Sequence, residues 1–84
     1  MRLPRDLTGA QLVRALAKVG YLPTRQTGSH VRLTCQLPLQ QPAQHHVTVP
    51  LHDPLRIGTL AAVLAAVADA CNVTRDELLR RLFG

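Results

Sequence analysis

Hydrophobic residues recur along the chain first at helical spacing, then in strict alternation, then at helical spacing again. Leu12, Leu16 and Val19, with Val13 alongside, follow the three-to-four-residue period of one helix face. Thr8 followed three positions later by Gln11 is a capping-box pattern, and Leu7 with Leu12 supplies the matching hydrophobic staple. Gly20 supplies the stop, while Arg14 and Lys18 fall four apart on the side left to solvent.

From Tyr21 the period becomes two. Tyr21 to Thr27 is polar and weakly patterned, and Pro23 suits an edge strand. Gly28-Ser29 reads as a tight turn. In His30 to Leu37, Val31, Leu33, Cys35 and Leu37 point one way and His30, Arg32, Thr34 and Gln36 the other. Pro38 to Gln44 is a Pro/Gln-rich exposed connection. His45 to Leu51 alternates again, with Val47, Val49 and Leu51 inward and His46, Thr48 and Pro50 outward. The three runs predict an antiparallel meander with one apolar and one polar face.

Beyond His52-Asp53-Pro54, Gly58-Thr59 is expected to open a second helix with Thr59 as N-cap. Its apolar stripe is Leu60, Val63, Leu64 and Val67, on an Ala-rich background of high helix propensity. A short third helix follows, with Thr74 and Glu77 as another capping box, Val73 and Leu78 as another staple, and Leu78, Leu79 and Leu82 on its buried side. The order is α-β-β-β-α with a short C-terminal helix. Helices segregated to one face of a three-stranded antiparallel sheet define an α+β class, here expected as one domain over residues 1–84. Val31, Leu33, Val47, Val49, Leu16, Leu60 and Leu64 are expected to meet in its core.

Composition narrows the functional classes. Ten Lys+Arg against five Asp+Glu set the formal net charge at +5, which points to an acidic partner, nucleic acid first. Tyr21 and Phe83 are the only aromatic residues among the 84, which argues against modules that stack successive bases on rows of rings. No apolar run approaches the roughly 18 residues needed to span a bilayer, and no apolar stretch follows the first charges, so a cytoplasmic protein is expected. Cys35 and Cys71 lack the close spacing of a zinc site and are too few for a disulfide scaffold; two reduced, partly buried thiols are expected.

The polar face of the sheet is where chemistry can reside, because the apolar face must meet the helices. Alternation places His30, Arg32 and Thr34 there, with His46 and Thr48 from the next strand and His52 just past its end. A neutral imidazole can take the proton of a ribose 2′-hydroxyl, and a guanidinium can stabilise charge developing on phosphorus, with no metal or other cofactor required. Taken singly, an exposed strand histidine is more often plain surface, and the residues alone do not choose among His30, His46 and His52. His45 and His46 are sent to opposite faces, which disfavours a shared metal. Phosphate-binding glycine loops, nucleophile elbows and close acidic pairs are absent from the sequence.

Three motifs stand in one register: Arg25-Gln26-Thr27-Gly28-Ser29-His30, Val47-Thr48-Val49-Pro50-Leu51-His52, and Gly58-Thr59-Leu60. In order and spacing they resemble the HicA toxins, also called YcfA-like proteins, and Val73 to Leu79 is similar to the short terminal helix of that family. The resemblance implies a fold like a double-stranded-RNA-binding domain and a ribosome-independent mRNA endoribonuclease. It places the catalytic histidine at His30. From the polar face and the residues flanking His30, Arg25, Ser29, Arg32, His46, Thr48 and His52 are expected to meet RNA. The resemblance also implies a HicB-like antitoxin protein that covers the site. The chain departs from the family in a longer Pro38 to Gln44 connection and in an Ala-rich second helix where relatives commonly carry Lys or Arg, which implies either a low RNA affinity or phosphate contacts shifted to arginines elsewhere. A non-catalytic RNA-binding module, or an inactive antitoxin-binding member, is the competing reading.

Overall fold

A computed structural model describes residues 2–84. The chain begins its first helix, α1 (Gly9–Leu16), on the predicted cap: Thr8 Oγ1 accepts the Gln11 N–H at 3.1 Å, and Gln11 Oε1 accepts the Thr8 N–H at 2.9 Å. A single 3₁₀ turn (Ala17–Val19) follows, and Gly20 ends it at φ 92°, a left-handed conformation that a side chain would strain. Tyr21, expected only as the start of a polar run, is instead wholly buried in the core. The strands are β1 (Leu22–Thr27), β2 (His30–Gln36) and β3 (Gln44–Pro50), joined as one antiparallel sheet in the order β1-β2-β3. Two helices close the chain, α2 (Ile57–Cys71) and α3 (Arg75–Phe83). The architecture is α+β, with the helix, three-strand, helix order of a double-stranded-RNA-binding domain.

The register sorts the sheet into rows. On the apolar side Pro23, Leu33 and Val47 form one row, and Gln26, Val31 and Val49 another. Leu33 and Val49 are completely inaccessible, and they share a core with Leu12 and Leu16 of α1, Leu60 and Leu64 of α2, and Leu78 and Leu82 of α3. The predicted core residues meet there. Cys35 is buried and Cys71 half-buried, both as thiols.

Four local expectations are corrected. α2 starts at Ile57 with Arg56 as N-cap, not at Thr59, and no side chain caps it. Buried Leu55 and Leu60 flank that start as a hydrophobic staple, and the Leu55 N–H donates to Leu7 O at 2.8 Å, so core packing sets the boundary in place of a capping hydroxyl. Leu51 lies beyond β3 and is exposed, because the backbone leaves the ladder after Pro50. The box at α3 is half made. Thr74 Oγ1 accepts the Glu77 N–H, but the Glu77 carboxylate turns to Arg81 at 2.9 Å. Thr34 is on the polar face as predicted, yet it is buried beneath its neighbours. Among the described residues no single helix is long and apolar enough to cross a membrane.

Candidate functional site

The polar face of the sheet carries three rows. Thr27, His30 and Pro50 form the first, Arg25, Arg32 and Thr48 the second, and Leu22, Thr34 and His46 the third. The two-residue turn Gly28-Ser29 sets this register, with positive φ (58°) at its first position only, the pattern of a type II′ turn. A bulge between Pro23 and Arg25 leaves Thr24 out of the ladder and shifts the lower part of β1.

His30 opens β2 immediately after that turn and is exposed. Two backbone hydrogen bonds bring His52 to it. The Leu51 N–H donates to Ser29 O at 2.6 Å, which extends the β2–β3 pairing one step past β3. The Gly9 N–H donates to His52 O at 2.9 Å, anchoring the same segment to the start of α1. Gly9 is required for that approach: a Cβ there would collide with Pro50 O and lie 2.8 Å from Leu51 Cα. The outcome is an edge-to-face pair of imidazoles, His30 and His52, with ring centroids 6.4 Å apart and planes at 73°. Nothing in the sequence near Gly9 signals this role. The cue exists only as a glycine one residue inside a capped helix.

The next row sets two guanidiniums opposite each other, since Arg25 and Arg32 are cross-strand partners. Like charges directly opposite are unfavourable in a sheet. Among the described residues neither arginine has a carboxylate partner, and both are exposed. This row is poised for an anion. Thr48 completes it from β3.

His46 belongs to a different locality. It pairs with Thr34, four residues along β2 from His30, so at about 3.3 Å per residue it stands roughly 13 Å farther up the strand. Its Nδ1 shares a 2.8 Å hydrogen bond with Thr34 Oγ1, which in turn shares one of 2.8 Å with Thr24 Oγ1. Thr24, freed by the bulge, is a member of this network that sequence periodicity did not single out. His45 faces the opposite side, as alternation predicts, and its Nδ1 shares a 2.7 Å hydrogen bond with the buried Tyr21 hydroxyl. Burial, reinforced by the nearby Cys71 and Cys35 thiols, raises the pKa of that hydroxyl far above the usual tyrosine range. Burial likewise pushes the Cys35 thiol up, with Cys71 adding to the effect. These groups are core, and the polar face is separate from them. Among the described residues no three His, Cys, Asp or Glu side chains converge as ligands for one ion.

The predicted site residues thus fall into a close set and an outlying one. His30, His52 and the Ser29 backbone meet at the turn end of the sheet, Arg25, Arg32 and Thr48 lie one row away, and His46 lies beyond them. The arrangement can present two imidazoles and two cations to one phosphodiester.

Residues 9–68 match the family described as HicA toxin of bacterial toxin-antitoxin, which is 60 of the 84 residues. The matched span runs from the first residue of α1 into α2 and includes every residue of the polar rows. Neither a curated protein nor a solved structure matches the chain.

Proposed function

This chain belongs to the HicA toxin family, and from that footing we propose that it is the toxin of a type II toxin–antitoxin pair, an mRNA endoribonuclease that works without the ribosome or a metal. Residues 1–84 act in this reading as one domain in the cytoplasm. The observation that carries the reading is the His30–His52 pair beside an unpartnered Arg25–Arg32 row.

His30 takes the proton from a ribose 2′-hydroxyl. The 2′-oxygen then attacks the adjacent phosphorus, the bond to the 5′-oxygen breaks, and that oxygen leaves with a proton from a second acid. His52 is the second proton carrier that the geometry favours, because His46 stands two rows away. Arg32 and Arg25 stabilise the charge that grows on the phosphoryl oxygens, which is worth most where the cations are fixed before reaction. The Ser29 backbone, Thr48 and, farther along, His46 guide the flanking strand over the polar face. Aromatic platforms are lacking on this face, so the strand is held by its backbone more than by its bases.

The second reading, an RNA-binding or antitoxin-binding member without catalysis, draws on α2, whose 15 residues carry no Lys or Arg. His30→Ala separates the two readings. Its loss should reduce RNA cleavage by about 10²–10⁴-fold with folding and RNA binding retained, the range for one general acid–base group. His52→Gln should also lower kcat, by about 10²-fold or more if it is the second proton carrier, and His46→Ala should leave kcat within a few-fold of the parent. A chelator should leave the rate unchanged. Cleavage undiminished in the His30 variant would reject the assignment.

A further inference from the structure

A cavity on the surface lies away from the sheet. It has a volume of about 620 Å³ and lies between the N-terminal segment and the loop that leads into α2. Arg2, Arg5 and Arg56 all line it, with Asp6 as the single carboxylate and Leu3 and Leu55 forming apolar wall. Among the described residues none of the three guanidiniums has a hydrogen-bond or ion-pair partner, and all three are exposed. The wall is held in place by the core: Leu55 is buried and its N–H bonds Leu7 O, tying the loop to the N-terminal segment. Three guanidiniums around one carboxylate give the cavity an excess positive charge that suits an anion.

Position says which anion. Arg56 follows His52 by four residues, so its Cα lies at most about 14 Å from that of the histidine in the proposed cleavage site. An RNA strand that presents one phosphodiester to His30 and His52 must lay the neighbouring ones on adjacent surface. The Arg25–Arg32 row is one such surface, and this cavity, within reach of His52 through residues 52–56, is another. α2, which opens directly beside it, offers no cation of its own. Two of the three arginines, Arg2 and Arg5, lie outside the span that matches the family. The cavity therefore supplies cations from a part of the chain that the family resemblance does not cover.

We infer that the Arg2–Arg5–Arg56 cavity is a phosphate-binding subsite, which takes a phosphodiester of the RNA strand flanking the bond presented to His30. The inference rests on the RNA-cleaving reading above. Guanidiniums suit it, since each can offer two parallel N–H donors to a pair of phosphate oxygens. No aromatic residue lines the cavity, so it holds the strand without regard to base identity.

The test compares two double variants with the same loss of charge: Arg5→Gln with Arg56→Gln in the cavity, and Arg14→Gln with Arg80→Gln on exposed helix positions away from it. Binding is measured against a short 2′-O-methyl RNA, which lacks the attacking hydroxyl, across a series of salt concentrations. The cavity variant should bind several-fold more weakly, and its plot of log affinity against log salt should be shallower by about 1.4, at roughly 0.7 per lost phosphate contact. The helix variant should keep the slope of the unmodified protein. Cleavage of a dinucleotide, too short to reach the cavity, should be the same in all three. Titration of inorganic tripolyphosphate should move the amide resonances of Leu55 to Gly58 in the unmodified protein and not in the cavity variant.

Equal affinity and slope in the two variants, with RNA still bound, would overturn the cavity assignment and leave the nuclease reading intact. Weaker binding of an acidic protein partner with unchanged RNA binding would overturn it also, and would make the cavity a protein-docking surface. Failure of the unmodified protein to bind any RNA, with the tripolyphosphate shifts present, would reject the RNA reading while the phosphate site stood.

Discussion

His30 and His52 are separated by 22 positions in the chain, and what unites them is a glycine that bonds the backbone of His52. Gly9 lets the first turn of α1 lie against Pro50 and Leu51, and its N–H holds His52 O. Gly9→Ala forces that contact apart. It should cost about 1–3 kcal/mol of stability, as overpacking typically does, and lower cleavage by about 10²-fold, because displacements near 1 Å in a catalytic constellation have that effect. Denaturant titration and turnover on the same preparation check both numbers. A stable variant with full activity would show that His52 does not depend on this anchor. His30 itself was legible, since alternation placed it on the polar face and the family motif selected it. Its pairing with His52, and the distance of His46, were not legible, because pairing depends on a register that a single strand does not specify.

Among the elements, α2 illustrates how packing outweighs local cues. Thr59 is a better capping residue than Arg56, yet the helix begins at Ile57 because Leu55 and Leu60 are both drawn into the core. Its stripe of Leu60, Val63, Leu64 and Val67 is buried as the periodicity indicates, and Leu64 is completely inaccessible. Leu64→Ala should destabilise the protein by about 2–5 kcal/mol, read from the denaturant midpoint at unchanged slope. A loss well below that range would mean that the sheet and helices close over the gap. α1 reads more directly: its box, its staple and its glycine stop are all local, and each is where the sequence indicates.

Two properties belong to the whole molecule. The first is an alkaline limit to stability. Burial raises the Tyr21 hydroxyl and the Cys35 thiol above their ordinary ranges, so the fold keeps protons that the unfolded chain has already released. The unfolded state then binds fewer protons, and stability falls as pH rises. The contribution is fully present below about pH 8.5, where unfolded cysteine begins to ionise, and tyrosine adds its share above about pH 10. Tyr21 should lower stability by up to about 1.4 kcal/mol per pH unit in its window, and Cys35 should act in the same direction. Denaturant midpoints across that range should fall in the parent protein and flatten in a Tyr21→Phe, Cys35→Ala variant. The second is the partner surface. In the proposed reading, an antitoxin partner of the HicB kind covers the site, and such a partner should protect the amides of His30 to Thr34 from hydrogen exchange. Arg32→Glu should then slow association more than it speeds dissociation, since attraction between charged surfaces acts mainly on the approach and is screened within about 8 Å at physiological salt. Protection confined to α1, α2 and α3 would show that the partner acts without occluding the site.

By itself the sequence determined the order of elements, the faces of β2 and β3, much of the core though not Tyr21 or Leu55, and the presence of a basic, histidine-bearing polar face. These depend on periodicity, capping and charge, which are properties of neighbouring residues in the chain. The tertiary structure decided which histidines meet, where α2 begins, that Thr34 is buried under Thr24 and His46, and that Arg2, Arg5 and Arg56 share one cavity. Each of those depends on two or more segments brought together by register and packing. Arg5 and Arg56 are 51 positions apart, and only closure of the N-terminal segment over the loop before α2 places both on the same wall.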